Sequence, residues 1–218
     1  YAVRVNAADV DAKMAVIDNV DYDRIGERMH VEMIYVNYAE GTADKYVELV
    51  KKVAGLNRTL VLNVKDVEVA KAALEACKEF KPILNGATPA NYAEMNEVAK
   101  AAGVVLGVSA ANLDELYDTV AALEKAGNKN LVLDTTFANA KEAFAGTVQV
   151  RRAAIKNEDR TFGYPALVDV AALAPEDSYL QAAYASMFTM KYASIIVLSA
   201  KSGLNVGSQK AYKACQKY

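Results

Sequence analysis

VVLGVSAANLDELYDTVAALEKAGNKNLVLD, residues 104–134, decides the fold. Val104–Val108 is a short run, apolar apart from Gly107, of the kind that suits a strand buried on both faces. Ser109 breaks the run, and Asn112 stands where a helix cap belongs. Leu113, Leu116, Val120 and Leu123 then recur three and four residues apart, the stripe of a helix packed along one face. The helix stops near Gly127, and Leu131–Leu133 opens a second strand that runs into Asp134. A strand, a helix and a strand in one short span make a parallel crossover unit.

The unit recurs along the chain. Apolar runs at Ala2–Val5, Val31–Val36, Thr59–Leu62, Pro82–Leu84, Val104–Val108, Leu131–Leu133, Ala166–Val168 and Ile195–Leu198 are each followed by a stretch rich in Ala, Lys and Glu. Eight such units predict an α/β protein closed into a (β/α)8 TIM barrel, one domain over residues 1–218. Helices are expected at Asp9–Asn19, at Thr42–Ala54 between a Thr42 cap and a Gly55 stop, and after a cap at Asp66. Further helices are expected from Pro89 to before Gly103, at Ala138–Lys156 with Gly146 as a weak point, at Ser178–Lys191 and at Gln209–Lys217. Asp21–Arg28 reads as a polar turn.

Just over half of the residues are apolar, at 53%, enough for a large core. A formal charge of −2 gives no electrostatic reason to expect nucleic acid or an anionic membrane as partner. No apolar run approaches the roughly 20 residues of a membrane-crossing helix, and no basic-then-apolar leader opens the chain. The two cysteines, Cys77 and Cys215, belong to no Cys-x-x-Cys pair, so a cluster or zinc site built by this chain alone is not expected. Reduced thiols in a cytoplasmic protein are the plain expectation.

In most units the residue just past the strand is polar: Asn6, Asn37, Asn63, Asn85, Ser109, Asp134, Asp169 and Ser199. Such positions converge at the carboxyl ends of barrel strands, where sites form. Small polar residues also start turns and cap helices, so each position has two readings. As a ring, Asn63, Asn85, Ser109 and Asp134 are the best candidates for contact with a cofactor or ligand.

Glu32 and Arg4 sit inside neighbouring apolar runs, so they are expected either to pair with each other or to reach solvent past an outer helix. The single histidine, His30, falls at the rim opposite the expected site, which removes multi-histidine metal sites and histidine-activated nucleophiles. Glycine-rich phosphate loops are missing from the sequence. These residues specify a barrel with a polar rim; no residue is assigned a catalytic or metal-ligating role.

Several segments in order resemble one family. They are Tyr22-Asp23-Arg24-Ile25-Gly26, Ile83-Leu84-Asn85-Gly86-Ala87-Thr88-Pro89-Ala90-Asn91, Leu131-Val132-Leu133-Asp134, Arg151-Arg152-Ala153-Ala154-Ile155, Phe162-Gly163-Tyr164-Pro165 and Lys191-Tyr192-Ala193-Ser194-Ile195-Ile196-Val197. Together they resemble the TIM-barrel domain of the large (gamma) subunit of the corrinoid iron–sulfur protein. That protein serves the CO dehydrogenase/acetyl-CoA synthase (acetyl-CoA decarbonylase/synthase) system. The resemblance implies a methyl carrier of the reductive acetyl-CoA pathway, moving a methyl group from a methyl-tetrahydropterin through a cobalt corrinoid to acetyl-CoA synthase. It implies a small (delta) subunit as partner, with methyltransferase and acetyl-CoA synthase as transient ones. It also implies a [4Fe–4S] domain and a corrinoid-binding domain. Neither cofactor is expected on this chain alone, because the cluster cysteines and a corrinoid-binding segment are absent from the sequence. Where the family has Asp-Pro-Gly after the sixth strand, this chain has Asp134-Thr135-Thr136. The rival expectation is a pterin-dependent methyltransferase-like barrel, with Asn63, Asn85 and Asp134 holding the pterin of methyltetrahydrofolate by paired hydrogen bonds.

Overall fold

The structure is a computed structural model that describes residues 1–6, 8–24, 26–38 and 42–199. Its elements run β1 (Ala2–Val5), α1 (Val10–Asn19), β2 (Asp21–Arg24), β3 (Glu27–His30), β4 (Met33–Asn37), α2 (Ala43–Ala54), β5 (Thr59–Asn63), α3 (Val67–Cys77), β6 (Ile83–Ala87), α4 (Tyr92–Ala102), β7 (Val105–Ser109), α5 (Leu113–Lys125), β8 (Leu131–Asp134), α6 (Ala140–Lys156), β9 (Ala166–Asp169), α7 (Val170–Leu173), α8 (Ser178–Met190) and β10 (Ile195–Leu198). Eight strands close in the order β1-β10-β9-β8-β7-β6-β5-β4, and β1 pairs in parallel with both β10 and β4. The (β/α)8 expectation therefore holds. The helix expected at Gln209–Lys217 and Cys215 within it lie outside the described residues.

Period-two alternation sorts each strand's residues between two cores. Ala2, Tyr35, Val61, Ile83, Val132, Leu167, Ile195 and Val197 point inward and fill the cylinder. Their strand neighbours, among them Val3, Ile34, Leu60, Leu84, Leu106, Leu133 and Val168, point outward against the helical jacket, which answers with Ile17, Val50, Ala73, Met95, Leu116, Leu123 and Phe188. Burial on both faces is why the strands read as continuous apolar runs.

Helix starts follow the sequence where a side chain can cap. Asp66 accepts from the Glu68 and Val69 nitrogens at 3.0 Å, and Asn112 accepts from the Glu115 nitrogen at 3.0 Å. Several local expectations need correction. Asp21–Arg28 is not a turn: β2 and β3 form an antiparallel hairpin with Asp21 opposite His30, and the next barrel strand starts only at Met33. Thr42 occupies the first cap position but makes no side-chain cap bond, and Gly55 stays right-handed at φ −60° while Asn57 takes the left-handed turn at φ 51°. The fourth barrel helix begins at Tyr92, three residues past Pro89, and the Asn91 carboxamide accepts from the Thr88 nitrogen at 2.7 Å. Gly146 does not interrupt α6 and also marks a close approach: a Cβ there would stand 2.2 Å from the Phe137 ring.

Candidate functional site

The rim residues meet at the carboxyl ends of the strands and hydrogen-bond to one another. Asn37 donates to Asn6 at 3.3 Å, Asn63 to Asn37 at 2.7 Å, and Asn85 to Asn63 at 3.2 Å. The same Asn85 amide reaches Asp134 Oδ2 at 3.0 Å across the barrel. Thr136 donates to Asp134 Oδ1 from its backbone at 3.1 Å and from its hydroxyl at 2.5 Å, and that hydroxyl accepts from the Asp169 nitrogen at 2.8 Å. Arg4 ends the series on Asp169 Oδ2 at 2.9 Å. Side chains or backbone of six barrel strands and their loops thus form one polar layer above the apolar filling.

Above this layer opens a cavity of about 500 Å³ lined by Tyr35, Asn63, Ser109, Asp134, Thr136 and Asp169, with Phe137 and Pro89 on its wall and Lys65 at its edge. The volume falls in the range of small-ligand sites. Hollows of about 560 and 570 Å³ also lie between α3 and α4 and between α5 and α6. The first has exposed Lys71, Glu75, Lys78 and Glu97 for walls. The mouth is the stronger candidate because buried polar groups converge there.

Of the four principal candidates, Asn63, Ser109 and Asp134 line the mouth. Asn85 does not: it is 1% exposed and lies beneath, with its amide against Asn63, Asp134 and, at 3.4 Å, the Tyr35 hydroxyl. Ser109 stays out of the amide chain and turns to the Ala87 carbonyl at 3.4 Å. Ser199 bonds to Gln181 of α8. The proposed Arg4–Glu32 pair does not form: Arg4 turns into the barrel, while Glu32 precedes β4 and meets the Tyr1 nitrogen at the other end. A guanidinium inside the barrel is stable only beside an acid, and Asp169 supplies it. His30 ends β3, three residues before β4 begins at Met33 and so at the opposite end of that strand from the mouth, with its Nδ1 buried and without a hydrogen-bond partner among the described residues.

Tyr35, Arg4, Thr136 and Gly107 are parts of the site that the rim pattern alone misses. Tyr35 was legible from period two, since it is the inward neighbour of Asn37 on the same strand face. Burial pushes the Asp169 carboxyl up to about 6; Arg4 opposes this shift and Asp134 adds to it. Burial likewise carries the Tyr35 hydroxyl well above its ordinary value, helped by the same two acids, so it remains a neutral phenol. Two carboxylates face one guanidinium here, and the floor therefore offers acceptors to a ligand rather than a nucleophile.

Residues 4–207 match the family model described as CO dehydrogenase/acetyl-CoA synthase delta subunit. The corrinoid/iron-sulfur protein large subunit of Moorella thermoacetica is 34% identical over 195 residues, covering 89% of this chain and 43% of that protein. The acetyl-CoA decarbonylase/synthase complex subunit gamma of Archaeoglobus fulgidus is 32% identical over 183 residues, covering 79% and 39%. The chain spans less than half the length of these curated relatives. Among solved structures, a dihydropteroate synthase from Thermus thermophilus superposes with a TM-score of 0.68 at 15% identity, covering 99% of this chain and 92% of that one. A Burkholderia cenocepacia dihydropteroate synthase complexed with 7,8-dihydropteroate gives 0.65 at 14% identity, covering 99% and 92%. At such identity the structural likeness speaks for the barrel fold alone. The sequence match across nearly the whole barrel carries more: this chain belongs to the CO dehydrogenase/acetyl-CoA synthase delta subunit family, alongside the corrinoid/iron-sulfur large and gamma subunits.

Proposed function

We propose that the chain is the barrel domain of a corrinoid iron–sulfur methyl carrier. Its role is to scaffold methyl transfer from a methyl-tetrahydropterin, through a cobalt corrinoid, to acetyl-CoA synthase. The observation that carries this reading is the alignment of residues 4–207 with that family, at 34% identity to a large subunit. The barrel docks the small (delta) subunit and meets methyltransferase and acetyl-CoA synthase in passing. Light scattering of the chain mixed with a delta-type subunit tests this. A heterodimer at micromolar protein is expected, and two species that stay apart would count decisively against it.

The iron–sulfur cluster implied by the family does not fit the described residues. Cys77 is buried in α3, its thiol donates to the Ala73 carbonyl at 3.2 Å, and burial pushes it up to about 11, so it stays protonated. No group of three or more His, Cys, Asp or Glu side chains converges among the described residues. In this reading the cluster and the corrinoid belong to other parts of the carrier, and the barrel contributes positioning.

A second reading rests on the mouth itself: it binds the pterin. Asp134 and the Asn63 amide share one wall of a 500 Å³ cavity, an array that matches the adjacent N–H groups and carbonyl of a pterin edge. A structural neighbour with the same barrel fold is complexed with 7,8-dihydropteroate, which supports a pterin as a ligand to test. Titration with methyltetrahydrofolate should saturate, and Asp134→Ala should abolish the binding; affinity indifferent to that change would remove the reading.

A further inference from the structure

The Asn85 carboxamide has an uneven set of partners. Its nitrogen faces three oxygens, Asp134 Oδ2 at 3.0 Å, Asn63 Oδ1 at 3.2 Å and Tyr35 Oη at 3.4 Å, whereas an amide nitrogen carries only two protons. Its oxygen is buried without any hydrogen-bond partner among the described residues. A buried carbonyl left so is destabilising, and a fold keeps it only if the other end of the group is worth more. The oxygen can occupy its place because residue 107, opposite Asn85 in the β6–β7 register, has no side chain: a Cβ there would lie 2.2 Å from it. Asn85 faces inward by period two, two residues past inward-facing Ile83, and the register shift between Asn85 and Ala87 follows it.

We propose that Asn85 is the positioning residue of the mouth and that Gly107 is the specificity determinant that permits it. With the oxygen set down into the space over Gly107, both amide protons are spent upward on Asn63 and Asp134. These two cavity-lining groups are held so that their unspent lone pairs face the cavity. A floor prepared this way accepts from a ligand edge with adjacent N–H groups, as in a cyclic guanidine or lactam, and repels an oxyanion. The inference rests on the pterin reading and deepens it: a residue that touches no ligand sets what the mouth accepts. The charged and titratable groups around it are Asp134 on β8, Asp169 on β9, Arg4 on β1 and Tyr35 on β4, with Lys65 at the cavity edge.

The test titrates the full chain and three variants with 6-methylpterin at acid and at neutral pH, with circular dichroism to confirm each fold. Asn85→Leu should weaken binding about ten- to a hundredfold at both, the worth of an orienting hydrogen bond to a charged group. Asn85→Asp should be as weak at neutral pH but recover relative to the parent in acid, where the introduced carboxyl carries a proton to give to Asp134. A merely structural role would not produce that pH-dependent rescue. Gly107→Ala, whose Cβ would meet the Asn85 oxygen at 2.2 Å and its Cα at 2.9 Å, should displace the carboxamide and weaken binding at both, and Asn85→Asp, which keeps the size of the side chain, carries the test should the leucine variant unfold. If the parent binds and Asn85→Leu binds equally, or if Asn85→Asp follows the parent at every pH, the proposal falls while the pterin reading stands. If the parent takes up no 6-methylpterin, the pterin reading falls and the proposal with it.

Discussion

Arg4 and Asp169 meet at 2.9 Å inside the barrel although β10 lies between their strands. The guanidinium spans that strand just above the apolar filling, and Asp169 at the same time caps α7 by accepting from the Ala172 nitrogen at 3.0 Å. One carboxylate therefore joins the β1 side of the cylinder to the start of the α7–α8 segment. It does so while 4% exposed.

Burial raises Asp169 to about 6, against roughly 3.9 for an unfolded aspartate. The folded state then holds the extra proton between about pH 4 and pH 6. The sign follows: this group's contribution to stability is greatest below the unfolded value, falls as pH rises through that window, and is level above it. The two-unit gap amounts to at most about 3 kcal/mol. Asp169→Asn keeps an acceptor for Arg4 and cannot titrate. Urea midpoints across that range should show a falling contribution in the parent relative to the variant, and parallel curves would refute it.

The barrel was legible because its cause is local. Eight β-branched runs with helical stripes between them leave few architectures, and Asp66 and Asn112 cap their helices where their residue types place them. The site was legible as a ring of polar strand ends. Its internal order was not, because depth depends on contacts between distant strands. Asn85 looks equivalent to Asn63 in sequence, yet the bare Gly107 opposite leaves room for it beneath the cavity. Neighbouring apolar runs offer Arg4 either Glu32 or an escape to solvent past an outer helix, and the structure gives it Asp169. The partner it found lies 165 residues away, at a distance that periodicity does not report. The β2–β3 hairpin escaped for a plainer reason: Asp21–Arg28 is mostly polar, alternates weakly and carries the turn formers Asp21, Asp23 and Gly26.

The Asp66 cap supplies a stability test remote from the mouth. Its carboxylate takes the nitrogens of the second and third residues of α3, and the helix behind it buries Val69, Ala70, Ala73, Leu74 and Cys77. Asp66→Ala should cost about 1 kcal/mol, and Asp66→Ser should restore most of it, since a hydroxyl caps nearly as well. Equal denaturation midpoints for the alanine and serine variants would show that the cap does not carry the effect.

Tyr35 contrasts with it. The ring is 2% exposed and fills the cylinder, but its hydroxyl reaches Asn85 only at 3.4 Å, and that amide has two nearer oxygens. Tyr35→Phe should therefore change stability by less than about 1 kcal/mol, while Tyr35→Ala should cost about 3–5 kcal/mol through the cavity it leaves. Thermal melts of both variants check the separation; a phenylalanine variant as unstable as the alanine one would mean the hydroxyl matters more than its geometry allows.

The Thr136 hydroxyl both donates to Asp134 at 2.5 Å and accepts from the Asp169 nitrogen at 2.8 Å. Thr136→Val keeps the volume and the backbone bond to Asp134 but strands one carboxylate lone pair and one strand nitrogen. Each is partly buried, so the loss should be about 1–3 kcal/mol. Thr136→Ser keeps the hydroxyl and should lose well under half of that. The hydroxyl ties the Asp134 carboxylate to the Asp169 backbone nitrogen, and the Asp134 charge helps raise the Asp169 carboxyl, so valine should also alter the pH window assigned to Asp169, whereas serine should leave it in place. Urea midpoints of both variants across that pH range decide the matter, and a valine variant with the parent's stability would show that Asp134 and Asp169 are held by other means.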